Sequence, residues 1–167
     1  GPRRVPLGSV IGRPFRDARR IMFERRAGVH RLPPLESGAM LLISRTLHFN
    51  AAHRLFRRDR TDEWNRATYG AAANAAGYGH NYALEVSLEG TPSAEDGMVV
   101  NLLDLDRILK EEVDRPLDHR NLNEEIPEFH DAVPTAENLA RWIWDRVDAR
   151  VRKEGWPCRV AALTLTV

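Results

Sequence analysis

Gly77-Tyr78-Gly79-His80-Asn81-Tyr82-Ala83-Leu84-Glu85-Val86-Ser87-Leu88-Glu89 is the stretch that decides the fold of this chain. From His80 onward, large apolar side chains alternate with polar or small ones. An alternation of this length predicts a strand of an antiparallel sheet, with one face on the core and the other towards solvent. His80 begins the apolar face, directly after a turn flanked by glycines. A histidine at this place is either a buried structural residue or a ligand.

Composition predicts one globular domain with an arginine-rich leader. The 167 residues are 43% hydrophobic, which is enough apolar material for a core. No apolar run approaches the roughly 18 residues of a membrane span, and the lone Cys158 fits a reducing compartment, so we expect a cytoplasmic protein. Residues 1–39 hold nine arginines and three acidic residues, and we expect a disordered leader, with an organelle transit peptide as the alternative. The body, residues 40–167, is mildly acidic and predicts no nucleic-acid partner.

The remaining pattern predicts an α+β domain. In chain order it predicts a strand over residues 41–53, a charged loop or short helix over 54–65, a short strand over 98–100, a helix over 101–115 that Pro116 ends, a helix to about residue 152 that Thr135 caps, and a strand over 160–167. Runs of strands followed by helices are typical of the α+β class. The last strand stops at Val167 without a turn, which suggests that the domain is truncated there.

Two groups of residues predict chemistry. His53 and His80 each end the apolar face of a strand, and the two strands are able to pair, so neutral imidazoles would converge as a zinc site with an open coordination position requires. Asp118 and His119 are adjacent in a predicted loop, where a carboxylate can orient an imidazole for proton transfer. The structural alternatives are a pair of buried histidines, and an aspartate that caps a turn beside an exposed histidine.

The motifs, in order, resemble the 6-pyruvoyl-tetrahydropterin synthase / 6-carboxytetrahydropterin synthase family. The matching segments are Phe49-Asn50-Ala51-Ala52-His53, Gly77-x-Gly-His80-Asn81-Tyr82, Gly97-Met98-Val99, Leu117-Asp118-His119-x-Asn121-Leu122-Asn123 and Pro134-Thr135-Ala136-Glu137-Asn138-Leu139-Ala140. The resemblance covers residues 40–167. It implies the tunnelling fold, an antiparallel four-stranded sheet with two helices on one face, assembled into trimers and hexamers with sites between subunits. It also implies a zinc-dependent lyase of tetrahydrobiopterin or queuosine biosynthesis. Such an enzyme converts 7,8-dihydroneopterin triphosphate to 6-pyruvoyl- or 6-carboxy-tetrahydropterin with loss of triphosphate.

The resemblance assigns roles to five residues of this chain. His53 and His80 match zinc ligands, Asp118 and His119 match the catalytic proton-relay pair, and Thr135 matches the segment that lines the pterin pocket. Three features depart from the family pattern. Tyr78 stands where the family has a third zinc-binding histidine, Ala72 stands where it has the catalytic cysteine, and the pterin-anchoring glutamate would lie just past Val167.

These departures leave three hypotheses open. The chain is an active lyase of this family, a degenerate member that keeps the oligomeric fold and binds a pterin without turnover, or a non-catalytic subunit that assembles with an active paralogue. A two-histidine site holds metal less tightly than a three-histidine site, because a phenol of pKa ~10 is a poor ligand unless the metal deprotonates it. Ala72 has no acid–base capacity, so proton transfer would fall on His119 or on an acid such as Asp62 or Glu63.

Overall fold

The computed structural model describes residues 10–11 and 38–167. The strands are β1 (Val10–Ile11), β2 (Leu41–His53), β3 (Tyr78–Gly90), β4 (Arg120–Asn121) and β5 (Cys158–Thr166). The α-helices are α1 (Asp62–Tyr69), α2 (Leu102–Leu109), α3 (Arg115–Leu117), α4 (Leu122–Glu125) and α5 (Ala136–Glu154). A π-helical segment, Lys110–Asp114, joins α2 to α3, and 3₁₀ turns cover Gly70–Ala73 and Pro127–Phe129.

One mostly antiparallel sheet organises the domain. Its strand order is β1-β5-β3-β2-β4. The β2 and β3 strands pair antiparallel along their whole length, from Leu41 opposite Gly90 to His53 opposite Tyr78. The β5 strand pairs antiparallel with the other edge of β3, and the short β4 pairs parallel with β2. The α+β prediction is confirmed.

The alternation in β3 produces the core face that the sequence predicts. Tyr82, Leu84, Val86 and Leu88 are buried, and His80 at the start of the same face is half-buried. The two long helical segments pack on this face and complete one core. Their buried residues include Leu105, Ile108, Leu109 and Val113 from the first, and Leu139, Ile143, Val147 and Val151 from α5.

The helix ends follow local capping chemistry, with one correction. The Thr135 side chain accepts a hydrogen bond from the Asn138 N–H at the start of α5, and Gly155 ends that helix in the left-handed region at φ 69°. The prediction that Pro116 ends the first long helix is wrong, since helical structure continues to Leu117. Pro116 lies in the first turn of α3, after the π-helical segment, where its missing N–H costs little.

The predicted strand over residues 98–100 is absent. Both edges of β3 are already occupied near its end, where Gly90 lies opposite Leu41 of β2 and opposite Cys158 of β5. No free edge of β3 remains there for a third partner, so the segment turns away, and Val99 is buried against Gly90 instead.

The predicted leader is described only in part. Within residues 1–39, Val10 and Ile11 pair antiparallel with β5, and residues 38–39 lead into β2. The predicted disorder of the rest lies outside the described residues. Among the helices that the structure describes, none has the length and apolar character that crossing a bilayer requires.

A candidate metal and proton-transfer site

Two histidines and a tyrosine meet where β2 ends and β3 begins. The register sets His53 opposite Tyr78 and Ala51 opposite His80, so the three polar side chains share one face of the sheet. The ring centres of His53 and His80 are 5.0 Å apart, and those of Tyr78 and His80 are 4.9 Å apart. The structure therefore brings His53 and His80 together as their strand positions predict. Their role as ligands stays a prediction.

The His53 ring is held in one tautomer. It is 7% exposed, and its Nδ1 lies 2.8 Å from the carbonyl oxygen of Pro134. A carbonyl only accepts hydrogen bonds, so Nδ1 carries the proton and the lone pair is on Nε2. Burial lowers the pKa of His53, the Pro134 carbonyl opposes this by favouring the charged ring, and the neighbouring His80 lowers the pKa further. A neutral imidazole with an oriented Nε2 is the form that binds a metal.

Gly77 allows β3 to begin this close to His53. Its φ is 62°, and a Cβ at this position would lie 2.9 Å from the His53 carbonyl oxygen. Only glycine adopts this backbone region without strain and also leaves room for that oxygen. The glycine that the motif places before Tyr78 therefore has a steric reason.

The donor set fits a zinc ion in part. Across the part of the chain that the structure describes, no group of three His, Cys, Asp or Glu residues is placed to hold a metal. Two imidazoles are present, and the Tyr78 phenol is the third polar group beside them. Burial is the main cause that raises the pKa of Tyr82 to about 12, and the neighbouring Tyr78 adds to it. The Tyr82 phenol, which follows His80 on the same face of β3, therefore stays protonated. A bound zinc ion would thus have two histidines, with Tyr78, water or substrate in its remaining positions.

The Asp118–His119 pair is anchored to the backbone of β2. The Asn50 N–H donates to Asp118 Oδ1 over 2.8 Å, and the His119 N–H donates to the Asn50 carbonyl oxygen over 2.6 Å. The His119 Nδ1 lies 2.7 Å from Asp118 Oδ2, and His119 has a left-handed backbone at φ 57°. The Asn50 N–H, and next the His119 ring, lower the pKa of Asp118, so this carboxylate stays ionised and orients the ring.

The Asp118–His119 pair and the histidine pair are separate within one chain. Asn50, whose backbone holds Asp118 and His119, precedes His53 by three residues, which is about 10 Å along a strand. The parallel pairing of β4 holds Asp118 and His119 at the edge of the sheet, and the His119 side chain is 76% exposed. In the described residues no hydrogen bond or ion pair joins them to His53 or His80. The joint action of this pair with His53 and His80 stays a prediction.

Thr135, Ala72 and Cys158 have clear structural positions. The Thr135 hydroxyl caps α5, directly after the carbonyl of Pro134 that holds His53. Ala72 lies in the 3₁₀ turn, where its carbonyl accepts the Leu55 N–H over 2.8 Å. Cys158 begins β5 opposite Gly90, at the far end of β3 from His80, and is too distant to replace a thiol at position 72. The substrate-binding role of Thr135 stays a prediction.

A cleft lies beside His53, where the sequence predicts only a charged loop or short helix over residues 54–65. Its volume is about 270 Å³. It is lined by His53, Arg54, Phe56, Arg58, Ala75, Ala76, Gly77, Asn121, Asn123 and Glu124. We call it the arginine cleft. The run of arginines directly after His53 was the available signal, but only the fold shows that two of them turn towards the same space as the histidine.

Several comparisons with known proteins point to one family. A family model described as 6-pyruvoyl tetrahydropterin synthase matches residues 42–165. The 6-pyruvoyl tetrahydrobiopterin synthase of Poecilia reticulata is 45% identical over 105 residues, covering 63% of this chain and 71% of that protein. The protein of the same name from Homo sapiens is 42% identical over 105 residues, covering 63% of this chain and 72% of that protein. The solved structure of Caenorhabditis elegans 6-pyruvoyl tetrahydropterin synthase matches with a TM-score of 0.63 at 33% identity, covering 66% of this chain and 78% of that chain.

Proposed function

The chain belongs to the 6-pyruvoyl tetrahydropterin synthase family, and from this we propose that it is a zinc-dependent lyase acting on 7,8-dihydroneopterin triphosphate. The products would be triphosphate and 6-pyruvoyl- or 6-carboxy-tetrahydropterin. The predicted family and the tunnelling fold are confirmed by these matches. The observation that carries the proposed activity is the 5.0 Å approach of the His53 and His80 rings, with the His53 tautomer held by the Pro134 carbonyl.

His53 and His80 would hold the zinc ion through ring nitrogens, and Tyr78, whose ring centre lies 4.9 Å from that of His80, would complete the set. A bound zinc ion would supply Lewis acidity that lowers the pKa of a substrate hydroxyl. His53 contributes a neutral, oriented Nε2, because burial disfavours its charged form and the Pro134 carbonyl accepts a hydrogen bond from the Nδ1–H. The site therefore supports binding of the hydroxylated side chain of a pterin.

His119 would move protons during elimination. Asp118 holds the Nδ1 proton of the ring, which leaves Nε2 open to accept or donate a proton at the substrate. Because this ring is exposed and apart from His53 and His80 in its own chain, the proposal places it at the site of a neighbouring subunit. A homo-oligomer, trimeric or hexameric, is therefore part of the proposed function.

A second function, pterin binding without turnover, is favoured by two residues. Ala72 cannot transfer a proton, and Tyr78 replaces an imidazole with a phenol. A protein with these changes would keep the fold and the pocket while losing elimination. Alternatively it would act as a partner for an active paralogue.

Metal content and turnover separate the two functions. The lyase proposal expects about one zinc ion per chain after dialysis and release of triphosphate from 7,8-dihydroneopterin triphosphate. His53→Ala should lose this zinc ion. The matched control is His48→Ala, since His48 is on the exposed face of the same strand as His53. Wild-type protein that retains no zinc and releases no triphosphate contradicts the lyase proposal. The double variant Ala72→Cys with Tyr78→His then tests the pocket, because recovery of elimination would identify a degenerate but intact site.

A further inference from the structure

The arginine cleft holds two guanidinium groups beside the candidate metal site. The Arg54 guanidinium carbon lies 4.2 Å from the centre of the Phe56 ring, and that of Arg58 lies 5.3 Å from it. Both arginines therefore pack on one aromatic side chain, and this contact is favourable for a cation. Phe56 is half-buried, so it acts as a fixed support for the two charges.

The backbone holds these arginines while leaving their charge uncompensated. The Arg54 Nε donates to the Ala73 carbonyl over 2.8 Å, and the Arg58 Nε donates to the His130 carbonyl over 3.0 Å. Carbonyl groups are neutral, so neither contact cancels the positive charge. In residues 38–167 no carboxylate lies within 4 Å of either guanidinium, whereas Arg57 in the same loop pairs with Asp59.

The buried Asn123 side chain fixes the backbone next to His53. Its Oδ1 accepts the Arg54 N–H over 2.7 Å, and its Nδ2 donates to the Arg54 carbonyl over 3.1 Å. The Arg54 backbone, directly after His53, is thus held by two hydrogen bonds with one side-chain amide. Glu124 also lines the cleft, and with a neutral His53 the lining keeps a net positive charge.

We propose that the arginine cleft binds the phosphate groups of the substrate, with Arg54 and Arg58 as the phosphate ligands. This rests on the proposed function, in which side-chain hydroxyls of the pterin reach the ion held by His53 and His80. The phosphates of such a substrate are only a few covalent bonds from those hydroxyls, so they must lie directly beside His53. The cleft begins at His53 and carries two guanidinium groups, whose planar N–H donors match phosphate oxygens in pairs.

Calorimetry with inorganic triphosphate tests the phosphate site without the pterin. We expect the full chain to bind inorganic triphosphate more tightly than orthophosphate, because two arginines can share the longer anion. Arg58→Gln should weaken triphosphate binding about tenfold, and Arg58→Lys should restore part of it, since lysine keeps the charge but loses the fork. The matched control is Arg57→Gln, which removes the same charge from the same loop outside the cleft and should change binding less than about twofold. Far-UV circular dichroism checks that each variant is folded.

The outcomes separate this inference from the lyase proposal. Wild-type protein that does not bind inorganic triphosphate, or Arg58→Gln that binds it like wild type, overturns the phosphate site. If the protein turns over its substrate and the KM of Arg58→Gln equals that of wild type, the phosphate site is also overturned, and the lyase proposal still stands. Triphosphate binding that depends on Arg58, in a protein without elimination, supports the phosphate site and overturns the lyase proposal.

Discussion

Replacement of His53 tests both halves of the site, because its two ring nitrogens have different tasks. In His53→Ala, the Pro134 carbonyl loses its hydrogen bond in a buried place, which costs about 1–3 kcal/mol. Loss of the packed ring adds to this, and we expect the metal-free protein to lose about 2–4 kcal/mol of unfolding free energy in total. His53→Asn keeps an N–H donor near the position of Nδ1 and removes Nε2. We expect it to lose only about 1–2 kcal/mol.

Zinc binding should respond differently from stability. Both His53→Ala and His53→Asn remove Nε2, so both should lose the zinc ion, which mass spectrometry of dialysed protein measures. Equilibrium urea unfolding in the presence of a chelator gives the stability of each metal-free variant. His48→Ala, on the exposed face of the same strand, is the control and should be nearly neutral in both assays.

The pH dependence of the metal-free protein follows from the lowered pKa of His53. The unfolded chain binds a proton at this group near pH 6.5, and the folded chain does so only at lower pH. Stability contributed by the neutral ring is therefore complete above about pH 6.5 and is lost as the pH falls towards the folded pKa. The stability difference between wild type and His53→Asn should shrink over that range. The reasoning is refuted if His53→Ala destabilises no more than His48→Ala, or if His53→Asn retains one zinc per chain.

Two further predictions concern the other candidate residues. Asp118→Asn should cost no more than about 1 kcal/mol of unfolding free energy at pH 7, because the carboxylate is partly exposed. The pKa of Asp118 is lowered, so the stabilisation from its ionised form is present above about pH 3.8 and is lost as the pH falls below this value. If the wild type stayed more stable than Asp118→Asn in unfolding curves at pH 2, this assignment would be contradicted. Thr135→Ala should cost about 1 kcal/mol in urea unfolding through loss of the α5 cap, and Thr135→Ser should restore it. If Thr135→Ser restores stability but pterin binding stays weak, the threonine methyl group has a role in the pocket beyond the cap.

Local patterns in the sequence determined the long strands, the core face and the helix caps. The alternation from His80 to Glu89 is a property of neighbouring residues, and any buried sheet would place Tyr82, Leu84, Val86 and Leu88 together. The same alternation in β2 is enough to place His53 and His80 on one face once the strands pair. The threonine before α5 and the glycine after it act within one turn, so their effect is also readable from the sequence.

Tertiary structure alone decided the features that depend on distant segments. Occupation of both edges of β3 by Leu41 and Cys158 excludes a strand over residues 98–100, although that segment reads as one by itself. The carbonyl that sets the His53 tautomer belongs to Pro134, 81 residues further along the chain. Pairing of β4 with β2 separates His119 from His53, and the turn after β2 directs Arg54 and Arg58 into one cleft. Each of these depends on which surfaces are already occupied when segments meet, and a periodic pattern carries no information about that.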